Sequence, residues 1–227
     1  ARLDPGAPVD QGPRVLADTF VHARGVGAGA QKLRGTEATA RGDVPAPRPL
    51  GTATATRLPS QPRSMELGVI GLGRMGQIVV DRCLDAGHDV VAFDLSAEAT
   101  AEAAEAGATA ADSVADLCDR LGSEKRIWLM VPAGDPVDAT LDDLDPHLSE
   151  DDVVVDGGNS HFERSVERAE ACSGTYLDCG TSGGPASAEE GFSLMVGGPQ
   201  WAYDELVPVF DAVATGPAGH GRMGASG

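Results

Sequence analysis

No stretch of this 227-residue sequence approaches the roughly 18 consecutive apolar residues of a membrane-spanning helix, and no basic segment followed by an apolar run stands near its N-terminus. No membrane partner is therefore expected, and a cytoplasmic location is. Cysteine is scarce: Cys83, Cys118, Cys172 and Cys179 form no C-x-x-C pair, so free, buried thiols of a reducing compartment are the expectation. The histidines His22, His88, His147, His161 and His220 make no H-E-x-x-H or comparable cluster, which leaves a metal site built by the chain without support. Lysine is nearly missing after Met65, where Lys125 stands alone.

Acid fills the place of the missing lysines. Residues 65–227 carry 8 basic and 30 acidic side chains, a net −22, whereas residues 1–64 carry 9 basic and 5 acidic ones, a net +4. A surface so acidic repels phosphate backbones and anionic lipid, so nucleic acid is excluded as a partner. At molar salt the Debye length falls to about 3 Å, and such self-repulsion is screened; a host with a salt-rich cytoplasm is the setting this composition fits. The 41% share of hydrophobic residues is enough for a real core in one or two domains.

Residues 1–64 are rich in Gly, Pro, Ala, Thr and Arg and hold no sustained helical or strand period. Their isolated apolar side chains cannot offset an ordering entropy of about 1–2 kcal/mol per residue, so disorder is expected there. One role for such a segment is a tether or targeting arm. The other reading is a start assigned too far upstream, with Met65 as the true first residue: charge changes sign there, a core strand starts one residue later, and the sequence itself begins with Ala1. The expected division is thus 1–64 and 65–227.

After Met65, strand and helix signals alternate. Strands are expected at 66–71, 89–94, 126–131 and 152–156, with helices at 75–88, 97–107 and 137–148 and a further segment at 113–121. A βαβ series of this kind implies an α/β fold, a doubly wound parallel sheet of the Rossmann type with helices on both faces. Between the first strand and first helix lies G-x-G-x-x-G at Gly71, Gly73 and Gly76. The first glycine permits a tight turn, the second lets backbone approach a pyrophosphate, and the third lets helix pack on strand. The helix N-terminus behind them presents free N–H groups to an anion. Asp94 follows 18 residues after Gly76, at the tip of the second strand, where a carboxylate accepts the adenosine ribose hydroxyls and repels a 2′-phosphate. NAD is expected over NADP. Arg74, within the loop, is placed either to contact phosphate or to lie in solvent.

Three further stretches, "LMVPAGDPVD" (129–138), "DGGNSHFERS" (156–165) and "DCGTSGGPASAEEGFSLMVGG" (178–198), resemble in order and spacing the β-hydroxyacid dehydrogenase superfamily, and within it the decarboxylating 6-phosphogluconate dehydrogenases. The resemblance runs from about Met65 to the end of the sequence. It implies that Asn159 contacts both substrate and cofactor and that Ser182, Gly183 and Gly184 hold the sugar acid. With the loop residues Leu72, Arg74 and Met75 and the 131–133 segment (Val131, Pro132, Ala133), these complete the expected cofactor and substrate set. On the residues alone, D-G-G-N could equally be an ordinary Asx-type turn, while a hydroxyl beside two glycines makes a backbone nest suited to a carboxylate. "GFSLMVGG" is expected as a packed strand and turn.

Departures from the family pattern carry information too. Pro132 stands where the family commonly has lysine, and Asp94, Leu95 and Ser96 stand where NADP-using members usually carry Asn-Arg-Thr. The family's proton-transfer lysine and its His-Asn motif lie beyond the stretch matched here, at the start of an all-helical domain that completes the substrate site and the homodimer or homotetramer. The resemblance therefore assigns no catalytic acid or base to this sequence, and the 227 residues alone are expected to bind cofactor weakly without turnover. The parent reaction it implies is oxidation of 6-phosphogluconate at C3, loss of carbon dioxide and release of ribulose 5-phosphate. Two other readings stand beside it: a 3-hydroxyisobutyrate or tartronate-semialdehyde type dehydrogenase, against which "DGGNS" speaks, and a non-catalytic NAD-binding module.

Overall fold

The computed structural model describes residues 64–183 and 187–227, and the expectations for residues 1–63 lie outside them. Eight strands form one sheet: β1 (Glu66–Ile70), β2 (Asp89–Phe93), β3 (Thr109–Ala110), β4 (Arg126–Leu129), β5 (Val153–Asp156), β6 (Thr175–Ser182), β7 (Ser193–Gly197) and β8 (His220–Gly224). Their spatial order is β3-β2-β1-β4-β5-β6-β7-β8. All neighbours from β3 to β6 are parallel, β7 joins antiparallel to β6, and β8 lies parallel to β7. The doubly wound parallel sheet read from the sequence is present, extended by a β6–β7 reversal that the sequence pattern did not signal.

The helices are α1 (Arg74–Asp85), α2 (Ala97–Ala106), α3 (Val114–Arg120), α4 (Asp135–Leu144), α5 (Phe162–Ala171), the short α6 (Ser187–Glu190) and α7 (Gln200–Val213). Two apolar layers form, one on each face of the sheet. Leu67 and Val69 of β1, with Trp128 of β4, face a layer that includes Val79, Val80 and Cys83 of α1 and Phe210 of α7. Ile70, Ile127 and Leu129 point the other way, toward Leu117 of α3 and Leu144 of α4. Alternation along a strand buried on both faces is why β4 and β5 read as unbroken apolar runs. Trp128 packs edge-on to Phe210 with ring centroids 6.0 Å apart, a pair worth about 0.5–1.5 kcal/mol beyond the area it buries.

Boundaries shift from the expected ones for local reasons. β1 stops at Ile70 because Gly71 has φ +93, outside the strand region. The helix expected at 137–148 starts at Asp135 with a proline in its first turn, and Pro146 turns its end into the 3₁₀ segment Asp145–His147. The segment at 113–121 becomes α3 because the Ser113 hydroxyl accepts the Asp116 N–H at 3.0 Å and caps it. The four cysteines are free, as expected, but only Cys83, Cys118 and Cys179 are buried; Cys172 is half-buried. Burial pushes the thiols of Cys83 and Cys179 up to about 12 and that of Cys118 to about 11, so they stay protonated and act as small apolar side chains. No helix among the described residues is long and apolar enough to cross a membrane.

Candidate cofactor site

Where the strand order reverses, between β1 and β4, the C-terminal ends of the strands open into a crevice of about 820 Å³. Open α/β sheets bind ligands at this switch point. The glycine loop forms its floor. A Cβ on Gly71 would stand 2.6 Å from the Met130 carbonyl oxygen, and one on Gly76 would stand 1.8 Å from the Gly71 carbonyl oxygen, so neither position has room for a side chain. A Cβ on Gly73 would meet nothing within 4 Å. It would project into open space that a ligand can use. Gly73 is the N-cap of α1, with no side-chain cap and no acid in the first turn, so the helix presents unpaired N–H groups and its positive end there.

Asp94 closes one end of the crevice. Its Oδ2 accepts the Leu72 N–H at 2.6 Å and its Oδ1 accepts the Ser96 N–H at 2.7 Å, which fixes the carboxylate and leaves lone pairs for a ligand on each oxygen. Beside it Leu95 is 96% exposed and carries no charge. Asn159 closes the other end with φ +57, the left-handed region that asparagine tolerates. Its amide pairs with the backbone of β6: Oδ1 accepts the Thr181 N–H at 3.0 Å, and Nδ2 donates to the Thr181 carbonyl at 3.3 Å.

The structure brings together Gly71, Gly73, Arg74, Met75, Asp94, Val131, Pro132 and Asn159 on the crevice wall. Leu72, Gly76 and Ala133 do not line it. The Leu72 side chain is buried in the core and only its N–H serves the site, while Gly76 acts through close packing. Ser182 and Gly183, at the exposed end of β6, also lie off the crevice wall, tied to it through the Asn159–Thr181 pair. Gly184 lies outside the described residues.

One wall escaped the sequence reading. Pro136, Ala139, Thr140 and Asp143 of α4 line the crevice opposite the glycine loop. Their spacing on one helical face, directly after the 131–134 loop, was the available signal. The buried carboxylate of Asp156 also escaped it: Oδ1 accepts the Gly158 N–H at 2.9 Å, and Oδ2 accepts the hydroxyls of Ser160 at 2.6 Å and Tyr176 at 2.7 Å. Burial and the Asp156 charge push the Tyr176 hydroxyl far up, which keeps it a donor. "DGGNS" is thus a loop folded around its own first residue.

A glycine loop leading into an uncapped helix, an acid at the second strand tip and a crevice at the switch point define a dinucleotide-binding domain of the dehydrogenase type. Residues 66–224 match the family described as the NAD binding domain of 6-phosphogluconate dehydrogenase, and the chain belongs to that family. It is 85% identical over 163 residues to an NAD(+)-dependent, decarboxylating 6-phosphogluconate dehydrogenase of Haloferax volcanii, a match covering 72% of this chain and 54% of that protein. A decarboxylating 6-phosphogluconate dehydrogenase of Cunninghamella elegans is 38% identical over 157 residues, covering 66% of this chain and 32% of the other. The chain therefore spans about half the length of such relatives, or less. Among solved structures, the fold is shared with a 3-hydroxyisobutyrate dehydrogenase of Mycobacterium tuberculosis at a TM-score of 0.65 and 23% identity, over 72% of this chain and 56% of that one. The Haloferax relative agrees with the salt-rich setting expected from the acid excess.

Proposed function

We propose that this chain is the cofactor-binding, N-terminal part of an NAD-linked, decarboxylating 6-phosphogluconate dehydrogenase. The observation that carries the reading is the Asp94 carboxylate, held by two backbone N–H groups at the end of a crevice whose floor is the glycine loop. In this reading the adenosine ribose lies at Asp94, the pyrophosphate over Gly73 and the N-terminus of α1, and the nicotinamide toward Asn159 and the 131–134 loop. Bound NAD supplies the hydride acceptor. The chain's own residues bind and orient: Gly73 leaves space for the phosphates, and Asp94 disfavours a 2′-phosphate by charge. Asn159 keeps one N–H and one lone pair free for ligand while its other two bonds hold β6.

Ser182 and Gly183 would meet the sugar acid, with the proton-transfer group supplied by sequence beyond the matched domain. That no lysine follows Lys125 in these residues supports this placement of the proton-transfer group. Proton transfer by such a group is worth about 10²–10⁴-fold, so the chain alone is expected to bind cofactor and not to turn over 6-phosphogluconate. Calorimetric titration with NAD and NADP tests the reading. NAD binding at least tenfold tighter supports it; equal binding, or NADP preference, overturns the role of Asp94.

A further inference from the structure

We propose that Arg168, a residue of α5 outside the crevice, is a positioning residue that holds together the two loops forming the nicotinamide end of the cofactor site. The inference rests on the cofactor reading above and adds a residue that the glycine-loop logic does not reach.

Arg168 is 5% exposed, and four of its five N–H groups are engaged. Nη2 donates to the Gly134 carbonyl at 3.1 Å, on the loop that follows β4. Nη1 donates to Ser160 Oγ at 2.6 Å, on the loop that follows β5, and to Asp156 Oδ2 at 3.4 Å, at the end of β5 itself. Nε donates to Asp138 Oδ1 at 2.8 Å, in the first turn of α4, whose exposed face walls the crevice. One guanidinium therefore ties the loop after β4 and the first turn of α4 to the end of β5 and the loop that follows it.

Both loops carry a left-handed residue, Gly134 at φ +95 and Asn159 at φ +57, and Arg168 bonds Gly134 itself and the residue after Asn159. The Asp138 carboxyl is held below the usual carboxylate range, chiefly by its hydrogen bond from Arg168, as a charged acceptor at the α4 end of the clamp would be. The planar fork of arginine matches this spread of acceptors; the single ammonium of lysine cannot span it. Placement errors of about 1 Å at such loops cost up to 10²-fold in site function.

Arg126 supplies the control. It is equally buried and bonds Glu205 and the carbonyls of Lys125 and Asp151, at the start of β4 and so at the opposite end of that strand from the crevice. The test uses the 227-residue chain and two probes, NADH and ADP-ribose, which differ in the nicotinamide. Arg168→Met and Arg168→Lys are expected to weaken NADH binding about tenfold while ADP-ribose affinity stays within about twofold of wild type. Arg126→Met, although destabilising, keeps the wild-type ratio of the two affinities. Ser160→Ala removes one arm of the clamp without burying a charge and is expected to weaken NADH selectively by about threefold. It carries the test should the arginine variants fail to fold. An unchanged ratio in Ser160→Ala and in whichever Arg168 variant folds overturns the clamp. Wild-type chain that binds neither probe overturns the cofactor reading itself, and the clamp with it.

Discussion

The carboxylate of Asp94 and the backbone N–H of Leu72 meet at 2.6 Å, so the acid at the tip of β2 is bonded to the middle of the glycine loop rather than merely facing it. Asp94 therefore serves two ends at once in the proposed reading: it shapes the loop, and its remaining lone pairs are left for the ribose. Asp94→Ala is expected to weaken NAD binding by about 1.5–3 kcal/mol, the range for hydrogen bonds to charged groups, and to leave NADP binding unchanged or improved. Parallel titrations with the two cofactors read the outcome. A variant that keeps wild-type preference would place discrimination elsewhere.

Two glycines of the loop should answer differently to the same change. Gly76→Ala puts a methyl 1.8 Å from the Gly71 carbonyl oxygen, where only backbone movement can relieve it, and is expected to cost about 1–3 kcal/mol of stability. That corresponds to a melting temperature lower by several degrees, at about 2–4 °C per kcal/mol for a domain of this size. Gly73→Ala meets no protein atom within 4 Å, so its melting point should stay near wild type while cofactor affinity falls. Thermal melts and cofactor titrations on both variants separate the packing role from the binding role.

Asp152 makes acid stability readable. Burial opposes its charged form, but the N–H groups of Lys125 and Ser149, the Ser149 hydroxyl and the Lys125 charge outweigh burial and bring its pKa below the ordinary 3.8. A carboxylate depressed in the folded state contributes fully above the unfolded value. Its contribution disappears as pH falls from about 4 through the folded value. Asp152→Asn is expected to be less stable at pH 7 by about 1–3 kcal/mol and to show a shallower loss of stability below pH 4. Denaturant melts from pH 7 to pH 3 check both; an acid limb as steep as wild type would remove the linkage.

Charge also predicts a response to salt. With a net −22 over residues 65–227, raising potassium chloride from dilute to molar should raise the melting temperature as self-repulsion is screened. A melting temperature that does not move would leave the acid excess without this explanation.

What the sequence made legible was local. The glycine loop, the strands β1, β2, β4 and β5, and the place of Asp94 follow from φ requirements and short apolar periods within a few residues, whereas the two-residue β3, set by pairing with β2, was not expected. α5 defeats the same logic. Its apolar residues Phe162 and Val166 are 58% and 41% exposed, while Ser165 and Arg168 are buried, so periodicity points the helix the wrong way round. Arg168 turns inward to acceptors that other elements supply, Asp138, Ser160, Gly134 and Asp156, a demand for hydrogen bonds that hydropathy does not register. The β6–β7 reversal is likewise set by pairing across the sheet, which no local pattern announces. The place of Asn159 on the crevice wall follows from its motif, but its two bonds to Thr181 do not.

The crevice sits on the seam between β1 and β4, whose partners Gly68 and Ile127 lie far apart in sequence, with two helices, two strands and α3 between them. Closing so long a loop is slow compared with forming a helix or joining β1 to β2. Until that seam closes there is no wall opposite the glycine loop and no crevice for a dinucleotide to lie in. The ability to bind cofactor is therefore acquired during folding no earlier than the central strand pairing, and a refolding chain that captures NADH reports that its two half-sheets have met.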